Sequence, residues 1–183
     1  NEACFSEEAI IQPISNYGVT KLAAEQLVLF HSRENHFKAC SLRLYSVYGP
    51  RERPDKLMPK LVEAAYNSKK FTLFEGSELH LRSFTFVDDI ILGLISVLEK
   101  EDVVNNEIIN IGTSFEYTTQ QSIDFVEKYS GKKIDIEKAP RRTGDQSRTK
   151  AIIFKAEKLL NYQPKTSLDQ GIKKYIDWYV NNL

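Results

Sequence analysis

A helix-length stretch followed at once by a strand-length apolar one narrows the folds open to this chain more than anything else in it. Pro13 with Ser15-Asn16 ends an extended approach, and the spacing of Leu22, Ala23, Leu27 and Phe30 predicts a helix over residues 17–34. Residues 38–48 then read as one buried strand that stops at Gly49-Pro50. Helix followed by buried strand is the rhythm of a βαβ unit, in which parallel strands are joined by crossover helices and covered on both faces.

The rhythm continues along the chain. Residues 60–68 read as a helix, 71–74 as a short strand, 88–99 as a strongly apolar helix with Asp88 and Asp89 as structural acidic residues at its positive end, and 107–112 as another buried strand. Beyond them come a helix over 119–130 closed by Gly131, a strand over 133–137, a polar loop over 140–148, and helices over 155–161 and 168–181. No internal repeat or low-complexity linker interrupts the order. Strands that return to a parallel sheet between smaller excursions predict an α/β protein, with a sheet domain and a ligand-covering lobe woven from one chain.

Composition excludes several classes. The chain has 183 residues, 42% of them apolar, enough for one sizeable core and for one domain or a domain and a half. Lys plus Arg equals Asp plus Glu at 25 each, so no general electrostatic grip on nucleic acid or on an anionic membrane is expected. An anionic ligand must be met by a few placed residues. Cys4 and Cys40 are the two cysteines, without a C-x-x-C or a His cluster, which argues against a metal and against a disulfide framework; a reducing cytoplasm is the default. No apolar run reaches the ~18–20 residues that span a bilayer. The acidic start, Asn1-Glu2-Ala3-Cys4, lacks Met, so the chain reads as beginning in mid-protein. None of its eight glycines falls in a G-x-G-x-x-G pattern, so a dinucleotide phosphate site would lie upstream. His31, His36 and His80 are scattered, and none is assigned a role.

Tyr17-Gly18-Val19-Thr20-Lys21 carries the chemistry. A Tyr and a Lys four apart face the same way on a helix. A phenol near its ordinary pKa of ~10 is a poor base at neutral pH, and an ammonium one turn away favours the phenolate and makes it a usable acid/base.

Six blocks in order resemble the extended short-chain dehydrogenase/reductase family, in particular its NAD-dependent nucleotide-sugar epimerases and dehydratases. They are Pro13 to Lys21 with Glu25, Leu42 to Arg51, Arg82 to Ile90, Asn110-Ile111-Gly112, Gly144-Asp145, and Lys155-Ala156 with the closing Gly171 and Trp178-Tyr179. The resemblance implies the C-terminal part of a Rossmann-type domain, residues 1–50 and 84–114, interwoven with a nucleotide-sugar lobe, residues 51–83 and 115–183. It implies a parent of ~300–340 residues that supplies the glycine-rich loop and a catalytic Ser or Thr, so the 183 residues alone are expected to be inactive. Tyr17 would move the proton of the sugar 4-hydroxyl, and Lys21 would also bind the nicotinamide ribose of NAD. Tyr45 and Val47 would line the nicotinamide pocket, Ser46 would face the sugar, Arg82 and Arg142 would meet the diphosphate, and Asp145 would hold a ribose hydroxyl.

The implied reaction is 4-epimerisation of a UDP-sugar, with a 4,6-dehydratase, a UDP-glucuronate decarboxylase, and a non-catalytic dinucleotide-binding protein as the alternatives. Ser46, followed by Val47-Tyr48-Gly49-Pro50 and Arg53-Pro54-Asp55, resembles members acting on UDP-glucuronate, and a short hydroxyl leaves room for a C6 carboxylate. A homodimer through the Tyr17–Lys21 helix is also implied. Ser83, Arg141 and Ile152 depart from the family pattern and leave the nucleotide contacts less defined than the fold.

Overall fold

The computed structural model describes residues 2–142 and 145–182. In chain order its strands are β1 (Glu2–Phe5), β2 (Ser41–Leu44), β3 (Val47–Tyr48), β4 (Phe71–Phe74), β5 (Leu81–Arg82), β6 (Thr85–Phe86), β7 (Ile108–Ile111), β8 (Tyr117–Thr118), β9 (Ile136–Ala139) and β10 (Arg148–Ala151). The helices are α1 (Asn16–Arg33), α2 (Leu57–Asn67), α3 (Val87–Glu99), α4 (Glu101–Val104), α5 (Thr119–Ser130), α6 (Phe154–Leu160) and α7 (Leu168–Asn181). The architecture is the expected α/β one, and every strand pair is parallel except β5 with β8.

Helix ends follow local chemistry. Ser15 caps α1 by accepting a hydrogen bond from the Gly18 N–H at 3.1 Å. Thr118 with Gln121 and Ser167 with Gln170 form reciprocal capping boxes on α5 and α7. At α3 the N-cap is Phe86, which supplies no side-chain bond; Asp89, 3% exposed, instead accepts the N–H groups of Lys165 and Thr166 at 3.2 and 3.0 Å and ties a distant loop to the helix.

The single strand predicted over 38–48 is two. β2 pairs with β7, from Ser41 opposite Ile108 to Leu44 opposite Ile111, while β3 leaves for β6. The break is at Ser46, whose φ of 37° is a left-handed turn that costs a non-glycine residue about 1–2 kcal/mol.

The predicted polar loop over 140–148 gives way at Arg148 to β10, which β1 flanks on one side and β5 on the other. Arg148, Thr149 and Lys150 carry no apolar alternation, so backbone pairing rather than a greasy face defines this strand.

Two clusters make the core. Leu61 and Val62 of α2, Ile123 and Val126 of α5, and Leu168 and Ile172 of α7 pack with Tyr48, Phe84 and Phe86. Ile109 and Ile111 of β7 pack with Ile90 of α3 and with Ala156, Leu160 and Tyr162. At Gly171 a Cβ would lie 1.9 Å from the Tyr48 hydroxyl oxygen, so glycine is what lets α7 approach β3.

Candidate functional site

Two cavities border one short segment of chain. The first is a cleft of about 630 Å³ over β4 and β5, into which Ser46, Arg82 and Arg142 converge from three separate parts of the sequence. The left-handed turn at Ser46 puts that residue at the cleft wall. Arg82 is half-buried and donates to the backbone carbonyls of Leu81 and Gln146 at 2.8 and 2.6 Å; burial pulls its pKa down, with the nearby Asp145 acting in the other direction. Arg142 lies 4.1 Å from the centroid of the Phe74 ring and is paired with Asp145 at 3.2 Å. A guanidinium held on an aromatic face next to a second guanidinium suits an anionic ligand that also carries a flat ring.

The second cavity, about 580 Å³, runs between α1 and β2 and is lined by Tyr17, Lys21, Glu25, Arg43 and Leu44 among others. Tyr17 and Lys21 sit one turn apart, with the Lys21 Nζ 5.7 Å from the phenol ring centroid. Tyr17 is 72% exposed, and among the described residues Lys21 makes no ion pair. Glu25, the next residue on the same helical stripe, is pinned elsewhere. Arg43 grips it with two hydrogen bonds at 2.7 and 2.9 Å, and the Ser41 hydroxyl donates to it at 2.8 Å. Burial alone would raise the Glu25 pKa, but these hydrogen bonds and the Arg43 charge outweigh it and hold the carboxyl below its usual range.

Leu44 lines the second cavity and Ser46 the first, so the Leu44–Ser46 turn is common to both. Of the sequence-derived site residues, the structure brings Ser46, Arg82 and Arg142 together in one cavity and Tyr17 and Lys21 in the other, with Asp145 at Arg142. Tyr45 and Val47 line neither; both are packed against the cluster around Ile109 and Ile111. Gly144 lies outside the described residues.

Three neighbours were not singled out by sequence. Phe74 supplies the ring beneath Arg142; His80, assigned no role from sequence, lines the cleft, its pKa lowered first by burial and then by Arg82; and Arg43 neutralises Glu25. Phe74 and His80 stand on either side of the turn at Gly76 and Ser77–Leu79, and no local sequence signal marks them, because it is the fold that brings both to the cleft. Among the described residues no group of three or more His, Cys, Asp or Glu is placed to hold a metal ion, and no helix is long and apolar enough to cross a membrane.

Comparison with known proteins gives consistent matches. A family profile described as the NAD dependent epimerase/dehydratase family matches residues 2–112. An uncharacterized UDP-glucose epimerase, YtcB, of Bacillus subtilis (strain 168) is 34% identical over 178 residues, which cover 97% of this chain and 55% of YtcB. A UDP-glucuronate 4-epimerase of Thermodesulfobacterium geofontis is 33% identical over 172 residues, covering 93% of this chain and 52% of the relative. Among solved structures, the UDP-glucuronic acid 4-epimerase of Bacillus cereus in complex with UDP-glucuronic acid and NAD superposes with a TM-score of 0.91 at 34% identity, over 100% of this chain and 58% of that one. The chain thus spans about half the length of the curated relatives it matches.

Proposed function

The chain belongs to the NAD dependent epimerase/dehydratase family, and on that premise we propose that its parent protein is a nucleotide-sugar 4-epimerase acting by transient oxidation at sugar C4, with UDP-glucuronate ahead of UDP-glucose or UDP-galactose as substrate. The observation that carries this is the pairing of an unneutralised Tyr17–Lys21 unit with an arginine-lined cleft along one shared turn.

The second cavity fits one end of a dinucleotide. Lys21, free of carboxylate partners among the described residues, would hold the nicotinamide ribose hydroxyls, and Tyr17 beside it would reach the sugar. The 183 residues contain no glycine-rich turn for the pyrophosphate, so turnover is assigned to the parent polypeptide and not to these residues alone. Bound NAD supplies a hydride acceptor and donor. Tyr17 takes the proton of the 4-hydroxyl and later returns it, and the Lys21 ammonium stabilises the negative charge that gathers on the phenol oxygen. Arg82 and Arg142 clamp the diphosphate, Phe74 and Asp145 meet the nucleoside, and Ser46 donates to the C6 carboxylate. In this reading residues 1–50 with 84–114 belong to the dinucleotide half, where Tyr45 and Val47 would back the nicotinamide pocket from the Ile109–Ile111 cluster, and 51–83 with 115–183 form the sugar-nucleotide lobe. A homodimer through α1 belongs to the same reading, supported by the exposed Leu27, Val28 and Phe30.

The test is conversion of UDP-glucuronate by the parent protein followed by proton NMR. Inversion at C4 is expected, with a loss of ~10²-fold or more in Tyr17→Phe. Release of carbon dioxide with a pentose product would replace epimerisation by decarboxylation, and undiminished turnover in Tyr17→Phe would remove the phenol from the mechanism.

A further inference from the structure

Glu25 presents a problem to a catalytic Lys21. The two are four apart on α1, so their side chains are neighbours on one face, and such a Lys–Glu pair attracts. Both line the cavity that holds Tyr17. A carboxylate there would draw the ammonium away from the phenol and from a ribose. In the structure this does not occur, because the Glu25 side chain, 8% exposed, is fully engaged by β2: the Arg43 Nε and Nη2 groups each donate to one of its oxygens, and Ser41 Oγ donates as well. A two-pronged guanidinium holds a carboxylate in one orientation in a way that a single ammonium cannot.

The grip is itself anchored. Arg43 Nη1 approaches the Glu7 carbonyl oxygen at 3.4 Å, and the Glu7 carboxylate accepts the Asn110 N–H of β7 at 2.8 Å. Asn110 in turn donates to the carbonyls of Phe5 and Ile152, both at 3.1 Å. The segments after β1, in β7 and after β10 therefore all converge behind Arg43.

We propose that Arg43 is a positioning residue that sequesters Glu25 and so keeps the Lys21 ammonium available to Tyr17 and the cofactor ribose. The inference rests on the function assigned above. It predicts an asymmetry that a purely structural ion pair does not. Breaking a buried pair from either side leaves one uncompensated charge, so Arg43→Gln and Glu25→Gln lose stability alike. Their effects on turnover differ. In Arg43→Gln the released carboxylate captures Lys21, whereas in Glu25→Gln no anion remains to compete.

The experiment uses the parent protein at a temperature where all variants are folded, checked by circular dichroism. Arg43→Gln is expected to lower kcat by roughly tenfold or more, Glu25→Gln by less than about threefold, and the double variant is expected to recover most of the Arg43→Gln loss; an electrostatic capture one turn away is worth a factor of this order. Equal losses in the two single variants, or no recovery in the double, would overturn the proposal. Labelling of Lys21 by an N-hydroxysuccinimide ester, read by mass spectrometry without cofactor or substrate, gives a second answer. Arg43→Gln should slow labelling severalfold and Glu25→Gln should not. Labelling that follows this pattern in a protein with no epimerase activity would uphold the sequestration and remove only the assigned function, while identical labelling in all variants would remove the sequestration itself.

Discussion

The lobe closed by α2, α5 and α7 and the layer in which α1 lies on β2 hold their helices in opposite ways. In α2, Met58, Leu61, Val62, Ala64 and Ala65 are buried out of eleven residues, and α7 buries Leu168, Ile172, Tyr175 and Ile176. In α1, of eighteen residues only Leu29 and Ser32 are buried, and Val19, Leu27, Val28 and Phe30 are exposed. What fixes α1 is polar. Glu25 is gripped by Arg43, and Ser32 Oγ donates to Asn105 at 3.0 Å while accepting the Ala39 N–H. The lobe of α2, α5 and α7 is thus shaped by close packing, and the helix that carries Tyr17 and Lys21 is placed by a few directed hydrogen bonds. Dispersion contacts are numerous and forgiving of any single loss in direction, whereas a bidentate ion pair sets an angle.

The largest expected effect sharpens this contrast. Leu168→Ala, at a position with 0% exposure, should cost about 2–5 kcal/mol in denaturant unfolding. Leu27→Ala, at 60% exposure on α1, should stay within about 0.5 kcal/mol. Similar costs at the two sites would break the comparison. A smaller effect is expected for Gly171→Ala, which forces a methyl against the Tyr48 hydroxyl and should cost about 1–3 kcal/mol. Among the described residues the buried Tyr48 hydroxyl has no hydrogen-bond partner, so Tyr48→Phe should be close to neutral alone and should relieve part of the Gly171→Ala loss. A strongly destabilised Tyr48→Phe would contradict that account.

The smallest effect depends on pH. Burial pushes the Glu52 carboxyl from its usual 4.5 up to about 7, against a lesser opposing pull from Lys56. The folded chain then binds this proton where the unfolded chain has released it, so stability falls as pH rises from 4.5 through 7. Glu52→Gln removes that slope: its melting temperature should match the parent near pH 4 and exceed it by a few degrees at pH 8. A variant that melts lower at pH 8 would show that Glu52 is paired and stabilising. Glu25 runs the other way, because its lowered carboxyl loses its contribution as pH falls.

The elements that sequence reasoning finds are those whose apolar spacing runs long enough to have a period. α1, α3 and α7 and the buried β7 fall within a few residues of where the pattern puts them. β5 and β8 are two residues each, too short for any alternation, and β10 is polar, so its place between β1 and β5 is a tertiary fact. The turn at Ser46 is equally silent, since a serine gives no sign that its φ will be positive. That Tyr17 and Lys21 share one face of α1 was legible, because helical spacing alone brings them together. Phe74 under Arg142 was not, as 68 positions separate two side chains that only the fold makes neighbours.

The proposed transient oxidation at C4 by the Tyr17–Lys21 site shows itself in the fate of hydrogen at that carbon. The parent protein is given UDP-glucuronate deuterated at C4, and the 4-epimer formed is analysed by mass spectrometry. The 4-epimer is expected to retain the label at the level of the substrate, because the hydrogen removed from C4 is returned to the same sugar. Replacement of the label by solvent hydrogen would mean that C4 loses a proton and not a hydride, and would rule out transient oxidation at C4.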